Sequence, residues 1–363
     1  MDFTLNEAQE ELGGLARKIL AEQDEPWADL AAAGVLAAGL PVSLDGAGLG
    51  LLEQCSVLIE LGRAASGVPY LASVVLGAGA VAEFGTPAQQ ERWAGPAGRG
   101  SLVLTAALAE EDGDDPCRPS ARAVRADGRW VLSGVKTAVD AAPRADLFLV
   151  PCAVPGAEPG AGPDGVRVFL VAPSDAGVRV EPQQLTDPAP AGRVVLEGVT
   201  VGEDRVLGGA EVADWLLARG TVGLCAAQSG VIERALELTA EYARNRVQFG
   251  RPIGSFQAVT QRLADGFIDA EAVRLTMWQA AWRLESGDPG AGVAIATAKF
   301  WAAEAGHRVA HTAVHVHGGL GIDMSYPVHR YFTAAKHHEF ALGGATAQLR
   351  RIGAALAVSN GNA

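Results

Sequence analysis

Residues 242–265 read YARNRVQFGRPIGSFQAVTQRLAD, and the break inside this stretch decides the fold. From roughly Val212 apolar residues recur at helical spacing as far as Arg246. The chain then turns at Phe249-Gly250 and Pro252, and a new helical period begins at Ser255. Arg246 sits where a cation complements a helix C-terminus, and could equally face a ligand phosphate. Local evidence alone favours plain capping. Beyond the break the period predicts helices over about Ser255 to Glu285 and Ala291 to His317, then a last one ending near Val358. Long amphipathic helices with short connections imply a helical bundle over residues 207–363.

Upstream the texture differs. Residues 101–206 hold short apolar runs closed by turn residues: RWVLSG after RADG, ADLFLVPCAV, VRVFLVAP and RVVLEGVTV. These predict strands of an antiparallel barrel or sandwich. The segment VPGAEPGAGPDG reads as a solvent loop. Residues 1–100 alternate Ala- and Leu-rich helical segments with glycine-rich breaks such as GLPVSLDGAGLG. The expected class is therefore α+β in three regions, and no repeat of solenoid period is present.

Composition limits the function. The chain has 363 residues, 49% hydrophobic and 20% charged, enough for a large core. A net charge of -13 argues against a nucleic-acid or anionic-membrane surface. The acidic, amphipathic start lacks the pattern of a signal peptide. Val68 to Phe84 is weakly charged but interrupted, a buried helix rather than a membrane span. Cys55, Cys117, Cys152 and Cys225 lie far apart with no CxxC, which fits a reducing cytoplasm better than a disulfide framework or zinc knuckle.

A second motif, HVHGGLGIDMSYPVHRYFTAAK, spans His315 to Lys336. Its paired glycines let a phosphate or ring approach the backbone, though HGGLG without a preceding strand is weak evidence for dinucleotide binding. Together, in order and some 70 residues apart, the two blocks closely resemble the acyl-CoA dehydrogenase family. GLPVSLDGAGLGLLEQCSVLIELGRAASGVPYL is similar to that family's glycine turn and E-x-G-R-A helix. DGRWVLSGVKTAV…ADLFLV is similar to its W-V-L-S/N-G-x-K strands. The resemblance implies an N-terminal α-helical domain, a middle β-domain and a C-terminal four-helix bundle, assembled as a tetramer with FAD. It also implies that Arg246, Phe249 and Gln257 contact the adenosine diphosphate part of a flavin held mainly by the neighbouring subunit. The family's Q-x-x-G-G falls on His315, Gly318 and Gly319, with histidine in place of glutamine; a histidine still makes one hydrogen bond there.

The other half of the family's site is missing. Abstraction of the α-proton of an acyl thioester needs a positioned carboxylate, a contribution on the order of 10²–10⁴-fold. The family's base position falls at Leu342, Gly343 or Gly344 in FALGGATAQLRRIG, and no Asp or Glu follows Glu339. Some relatives carry the base on the first bundle helix, here near Gly220, where Arg219, Thr221 and Val222 offer no carboxylate; Asp214 lies almost two turns earlier. The T-E-P-x-A-G-S-D stretch appears as AEEDGDDP, with Ala109 and Glu111 replacing threonine and proline. The K-x-W-I-T pattern becomes KTAVD, with Ala138 and Asp140 in place of the aromatic and the hydroxyl. An aspartate beside the flavin edge disfavours the negative charge of reduced flavin.

This asymmetry points to a subunit that completes the flavin site of a homologous, base-bearing partner, in an α2β2 dehydrogenase acting on an acyl-CoA. By resemblance an electron-transfer flavoprotein is the acceptor. Alternatives are a self-sufficient dehydrogenase using Glu339 or Asp140, a flavin oxidase or monooxygenase on the same fold, or an inert subunit. Other features have plain readings. His311 and His315 share the i, i+4 spacing of a metal face but lack a third ligand, so no metal site is assigned. His337-His338 reads as a solvated or interface helix end, and residues 110–115 (EEDGDD) as a solvated loop rather than a calcium site. Trp278, Trp282 and Trp301 read as core or interface anchors.

Overall fold

The computed structural model describes residues 3–361 except 24, 112, 114, 156–164 and 188. Most of the VPGAEPGAGPDG segment lies outside the described residues. The N-terminal part is helical. Its members are α1 (Glu7–Glu22), α2 (Trp27–Ala32), α3 (Leu51–Arg63), α4 (Gly79–Phe84), α5 (Pro87–Gln89) and α6 (Gly95–Gly98). Asn6 opens α1 with a reciprocal cap, its side chain accepting from the Gln9 backbone while Gln9 accepts from the Asn6 N–H. The run before α4, Tyr70–Ala78, is a wide-turn π-helix with all but Leu71 buried, so residues 68–84 are a buried helical segment as expected.

The middle part is one sheet of eight strands: β1 (Leu104–Ala106), β2 (Arg122–Ala126), β3 (Arg129–Asp140), β4 (Leu147–Ala153), β5 (Val166–Val171), β6 (Val178–Gln183), β7 (Ala191–Val201) and β8 (Val206–Gly208). Its order is β6-β7-β3-β2-β4-β5-β8, with β1 beside β4. The expectation of a purely antiparallel sheet needs correcting: β1 and β2 both meet β4 in parallel. They share one edge of β4 end to end, β1 at Leu147 and β2 at Ala153, and β1 enters from the helical part in the direction that makes its pairing parallel. A register shift in β3 between Lys136 and Val139 leaves Ala138 at φ 49°.

The C-terminal part begins with α7 (Ala210–Asn245). A two-strand hairpin follows, β9 (Val247–Gln248) and β10 (Arg251–Pro252), then α8 (Gln257–Glu285) and α9 (Ala291–His317). The segment expected to be one last helix is two, α10 (Val328–Phe340) and α11 (Ala345–Gly361). Leu342 (φ 55°) and Gly343 (φ 91°) are left-handed and end the helical hydrogen bonding between them.

Glycine sets how closely α3 and α7 lie. A Cβ at Gly230 would stand 1.9 Å from the Ile59 carbonyl oxygen, and one at Gly62 would stand 2.0 Å from that of Ala227. Only hydrogen at both positions permits this approach. At the far end of α7, Tyr242 stacks on His317 with ring centroids 4.4 Å apart. The C-terminal ends of α7 and α9 are thereby held together. Trp278 is buried in the core, Trp301 packs against it, and Trp282 is exposed. All four cysteines are free thiols. No helix among the described residues is long and apolar enough to cross a membrane.

Candidate active site and flavin-binding arm

Two clusters of interest lie at opposite ends of α7. The first is a cavity of about 370 Å³ where the three parts of the chain meet. Leu71 and Leu76 line it from the helical part, Thr105, Leu108, Ala109, Ala138, Asp140 and Leu185 from the middle part, and Gly220, Leu224, Lys336, His337, Phe340 and Leu342 from the bundle. Leu342 and Gly220 face each other in its wall: a Cβ on Gly220 would lie 3.1 Å from Leu342 Cδ1. Of Leu342, Gly343 and Gly344, only Leu342 lines the cavity. Both places where a base was sought therefore converge on one point, and both are apolar.

The remaining carboxylates are accounted for. Glu339 turns away, paired with Lys336 and with His307 Nδ1 at 3.2 Å, and does not line the cavity. Asp214 accepts a hydrogen bond from Cys117 Sγ at 2.8 Å, also away from it. Asp140 is the one carboxylate in the lining among the described residues, 3.9 Å from His337 Nε2. The cavity walls crowd it while leaving about half of its side chain open, 49% exposed. Burial pushes its pKa up, opposed by the nearby His337.

Two expectations from the sequence need correcting, at Glu110 and at His337-His338. Residues 110–115 are not simply a solvated loop, because Glu110 is buried. Its carboxylate takes hydrogen bonds from the Ser120 and Ala121 N–H groups and from the wholly buried Lys136 ammonium at 2.6 Å. The pull of Lys136 and the two N–H groups outweighs desolvation and lowers its pKa. The pair pins the strand carrying Ala138 and Asp140 against Ala109; acid content alone did not reveal it, since the partner lies on another strand. His337 and His338 are likewise not a solvated helix end. The spacing of α10 turns Ala334, His337 and His338 inward. His337 lines the cavity and His338 Nδ1 meets Gln228 Oε1 at 3.1 Å. Burial drives the His338 pKa well below the usual histidine value.

The second cluster is the arm at the other end of the bundle. Arg246 caps α7, Phe249 and Gly250 form the hairpin tip, and Gln257 opens α8; all are exposed, Phe249 by 93%. His315 is exposed in the last turn of α9, ahead of Gly318 and Gly319. A Cβ at either glycine would meet nothing within 4 Å, so the backbone there can be reached from outside. The Tyr242–His317 stack brings the two motifs to the same end. His317 itself, unremarked in the sequence, is buried between Tyr242 and Tyr326, its Nδ1 bonded to the Ala313 carbonyl at 2.8 Å. His311 stacks on His307 instead of pairing with His315, and no group of three potential ligands among the described residues could hold a metal.

These features can be compared with known proteins. The acyl-CoA dehydrogenase N-terminal, middle and C-terminal domain families match residues 4–101, 105–199 and 208–357. The chain belongs to the acyl-CoA dehydrogenase family. It is 49% identical to acyl-CoA dehydrogenase FadE27 of Mycobacterium tuberculosis, over 98% of this chain and 99% of that one. Its fold matches a chain of the ChsE4-ChsE5 complex from the same organism with TM-score 0.91 and 49% identity, over 98% and 99% of the two chains. A Tcur3481-Tcur3483 steroid ACAD variant matches with TM-score 0.91 and 38% identity, over 99% and 100%. Members of this family are FAD-dependent oxidoreductases.

The two clusters fit that cofactor unequally. The arm offers an exposed guanidinium, a bare aromatic ring and an open glycine turn, a set suited to a nucleotide diphosphate. The cavity presents a carboxylate and an alanine in the wall where the family presents a hydroxyl and an aromatic. It does not fit a flavin ring that must accept negative charge.

Proposed function

We propose that this chain is the base-lacking subunit of a heteromeric acyl-CoA dehydrogenase. It lends Arg246, Phe249, Gln257, His315, Gly318 and Gly319 to an FAD held mainly by a homologous, base-bearing partner. The observation that carries this reading is distance. Gly220 and Arg246 lie on one continuous helix, some 40 Å apart at ~1.5 Å per residue. No single dinucleotide reaches from this chain's cavity to its own arm. The arm therefore serves a cofactor whose ring lies in another subunit, and this chain's cavity has neither base nor flavin-edge hydroxyl to offer in return. The match to a chain of a two-protein complex supports the same reading.

When bound, FAD supplies the hydride acceptor for α,β-desaturation of the acyl thioester. The residues of this chain have the simpler task of binding and orienting it. Arg246 neutralises the diphosphate, Phe249 covers the adenosine end, and the glycines let the backbone come close. Expressed alone and given FAD, the chain should not dehydrogenate acyl-CoAs. Co-expression with a base-bearing homologue should give activity and about two flavins per α2β2 tetramer, with an electron-transfer flavoprotein as acceptor. An active homotetramer fully loaded with FAD would falsify the proposal.

A second reading has one observation in its favour: Asp140 is a carboxylate of raised pKa inside the cavity. If it were a base, the chain alone would turn over substrate and Asp140→Asn would abolish that turnover.

A further inference from the structure

The cavity that has lost its base has not closed. Its volume of about 370 Å³ lies in the range of ligand pockets, roughly 300–1,000 Å³, and its walls are mostly leucine, alanine and phenylalanine. Among the described residues, four polar side chains of the lining make no hydrogen bond: Asp140, Thr105, Thr186 and His337. The Asp140 carboxylate accepts none among the described residues, and His337 Nε2, at 3.9 Å, is beyond hydrogen-bond reach. Thr105 is wholly buried behind the wall, so its unpaired hydroxyl presents no surface to the cavity.

The surrounding charges leave Asp140 as the dominant one. Lys336 lends its stem to the wall, but its ammonium is held by Glu339. His338 is turned to Gln228. Asp187, in the loop from β6, adds negative potential at Asp140. Arg144, in an adjoining smaller cavity that also touches Asp140 and His337, donates to the Gly67 carbonyl at 3.1 Å. An entering carboxylate would meet a like charge against apolar walls, whereas a hydroxyl or ammonium would find an idle acceptor.

We propose that this cavity is a binding site for a compact apolar molecule bearing a hydrogen-bond donor, a hydroxyl or an amine, with Asp140 as acceptor. The proposal rests on the reading that this cavity is not itself a dehydrogenase centre.

The test is calorimetric titration of the purified full chain with 1-octanol, 1-octylamine and octanoate, equal in length and different in head group. Octanol and octylamine should bind saturably, and octanoate about tenfold or more weaker, the worth of one hydrogen bond to a charged group. Asp140→Asn should erase the ranking by weakening the first two and admitting octanoate. Ala109→Phe, which fills the cavity, should abolish all three. Absence of saturable binding, octanoate binding as well as octylamine, or a ranking unchanged in Asp140→Asn would each overturn the proposal. Its failure is separable from that of the subunit reading. Acyl-CoA turnover by the chain alone that disappears in Asp140→Asn sinks both, whereas failed octanol binding without turnover sinks only this one.

Discussion

Replacing Phe249 by asparagine should push the free chain and the flavin-loaded complex in opposite directions. Gln248 pairs with Arg251 and Val247 with Pro252, so Phe249 and Gly250 are the two central residues of a tight hairpin. Both have positive φ, 53° and 77°. That is the type I′ pattern, for which Asn-Gly is the favoured pair. A bulky side chain in the left-handed region costs about 1–2 kcal/mol, which asparagine largely avoids. Against this gain stands the edge-on contact of Phe249 with Phe256, centroids 6.2 Å apart, a pair worth about 0.5–1.5 kcal/mol. The free chain should thus lie between about 0.5 kcal/mol less and about 1.5 kcal/mol more stable by urea denaturation. In the complex the balance reverses. A ring 93% exposed in the lone chain stands to gain about 1.5–3 kcal/mol on full burial. Its loss should weaken FAD binding about 10- to 150-fold in a fluorimetric titration of the co-expressed complex. Unchanged flavin affinity would refute the assignment of the arm. A free chain destabilised by more than about 1 kcal/mol would refute the account of backbone strain.

Other perturbations follow from the packing. Lys136→Met should cost about 3–5 kcal/mol by leaving the Glu110 carboxylate buried without its cation, and adding Glu110→Gln should restore much of that in a double-mutant cycle. Because the folded pKa of Glu110 is lowered, its contribution is full above the unfolded value of about 4.3 and is lost as pH falls through the folded value; acid unfolding of Glu110→Gln should lack that component. Gly230→Ala should lower stability by about 2 kcal/mol or more in thermal unfolding, since its methyl would meet backbone atoms of α3 that cannot yield. His338 has a depressed folded pKa, so the unfolded chain takes up a proton first as pH drops below about 6.5. Stability should therefore fall toward about pH 5, and His338→Gln should flatten that slope in denaturation curves.

Much of the fold was legible because it rests on local, periodic signals. The helical spacing from Val212 to His317 and the apolar runs between Ser101 and Val206 correspond to helices and strands, of which β4 and β5 are buried on both faces. The division of the last helix was not legible from period, because apolar spacing continues across Leu342. What divides it is a left-handed pair, and LeuGlyGly was its only trace. The cavity was legible only as absences, since the missing base and hydroxyl show in motifs while its walls come from segments more than 200 residues apart. Thr105, Leu185 and His337 become neighbours through the packing of β1, the loop after β6, and α10. No spacing rule reaches that far. Glu110 was misread for the same reason: a run of acids looks solvated until the buried Lys136 of a separate strand is set against it.

The contrast between the two ends of α7 decides how the missing residues should be understood. A site that had merely decayed would lose its strained and exposed features first, because nothing would offset their cost. Here Phe249 keeps a left-handed backbone and a nearly bare ring, and Gly318 and Gly319 keep an open turn. On the proposed reading, each is offset only against a second molecule. At the cavity the departures run the other way. Leu342 and Gly220 pack against each other, and the Glu110–Lys136 pair holds the neighbouring strands in order. Retained strain at one end and ordered packing at the other are what selection for a shared site would leave. They also make the arm the more sensitive place to strike: a substitution there should silence a partner's chemistry while leaving the folding of this chain intact.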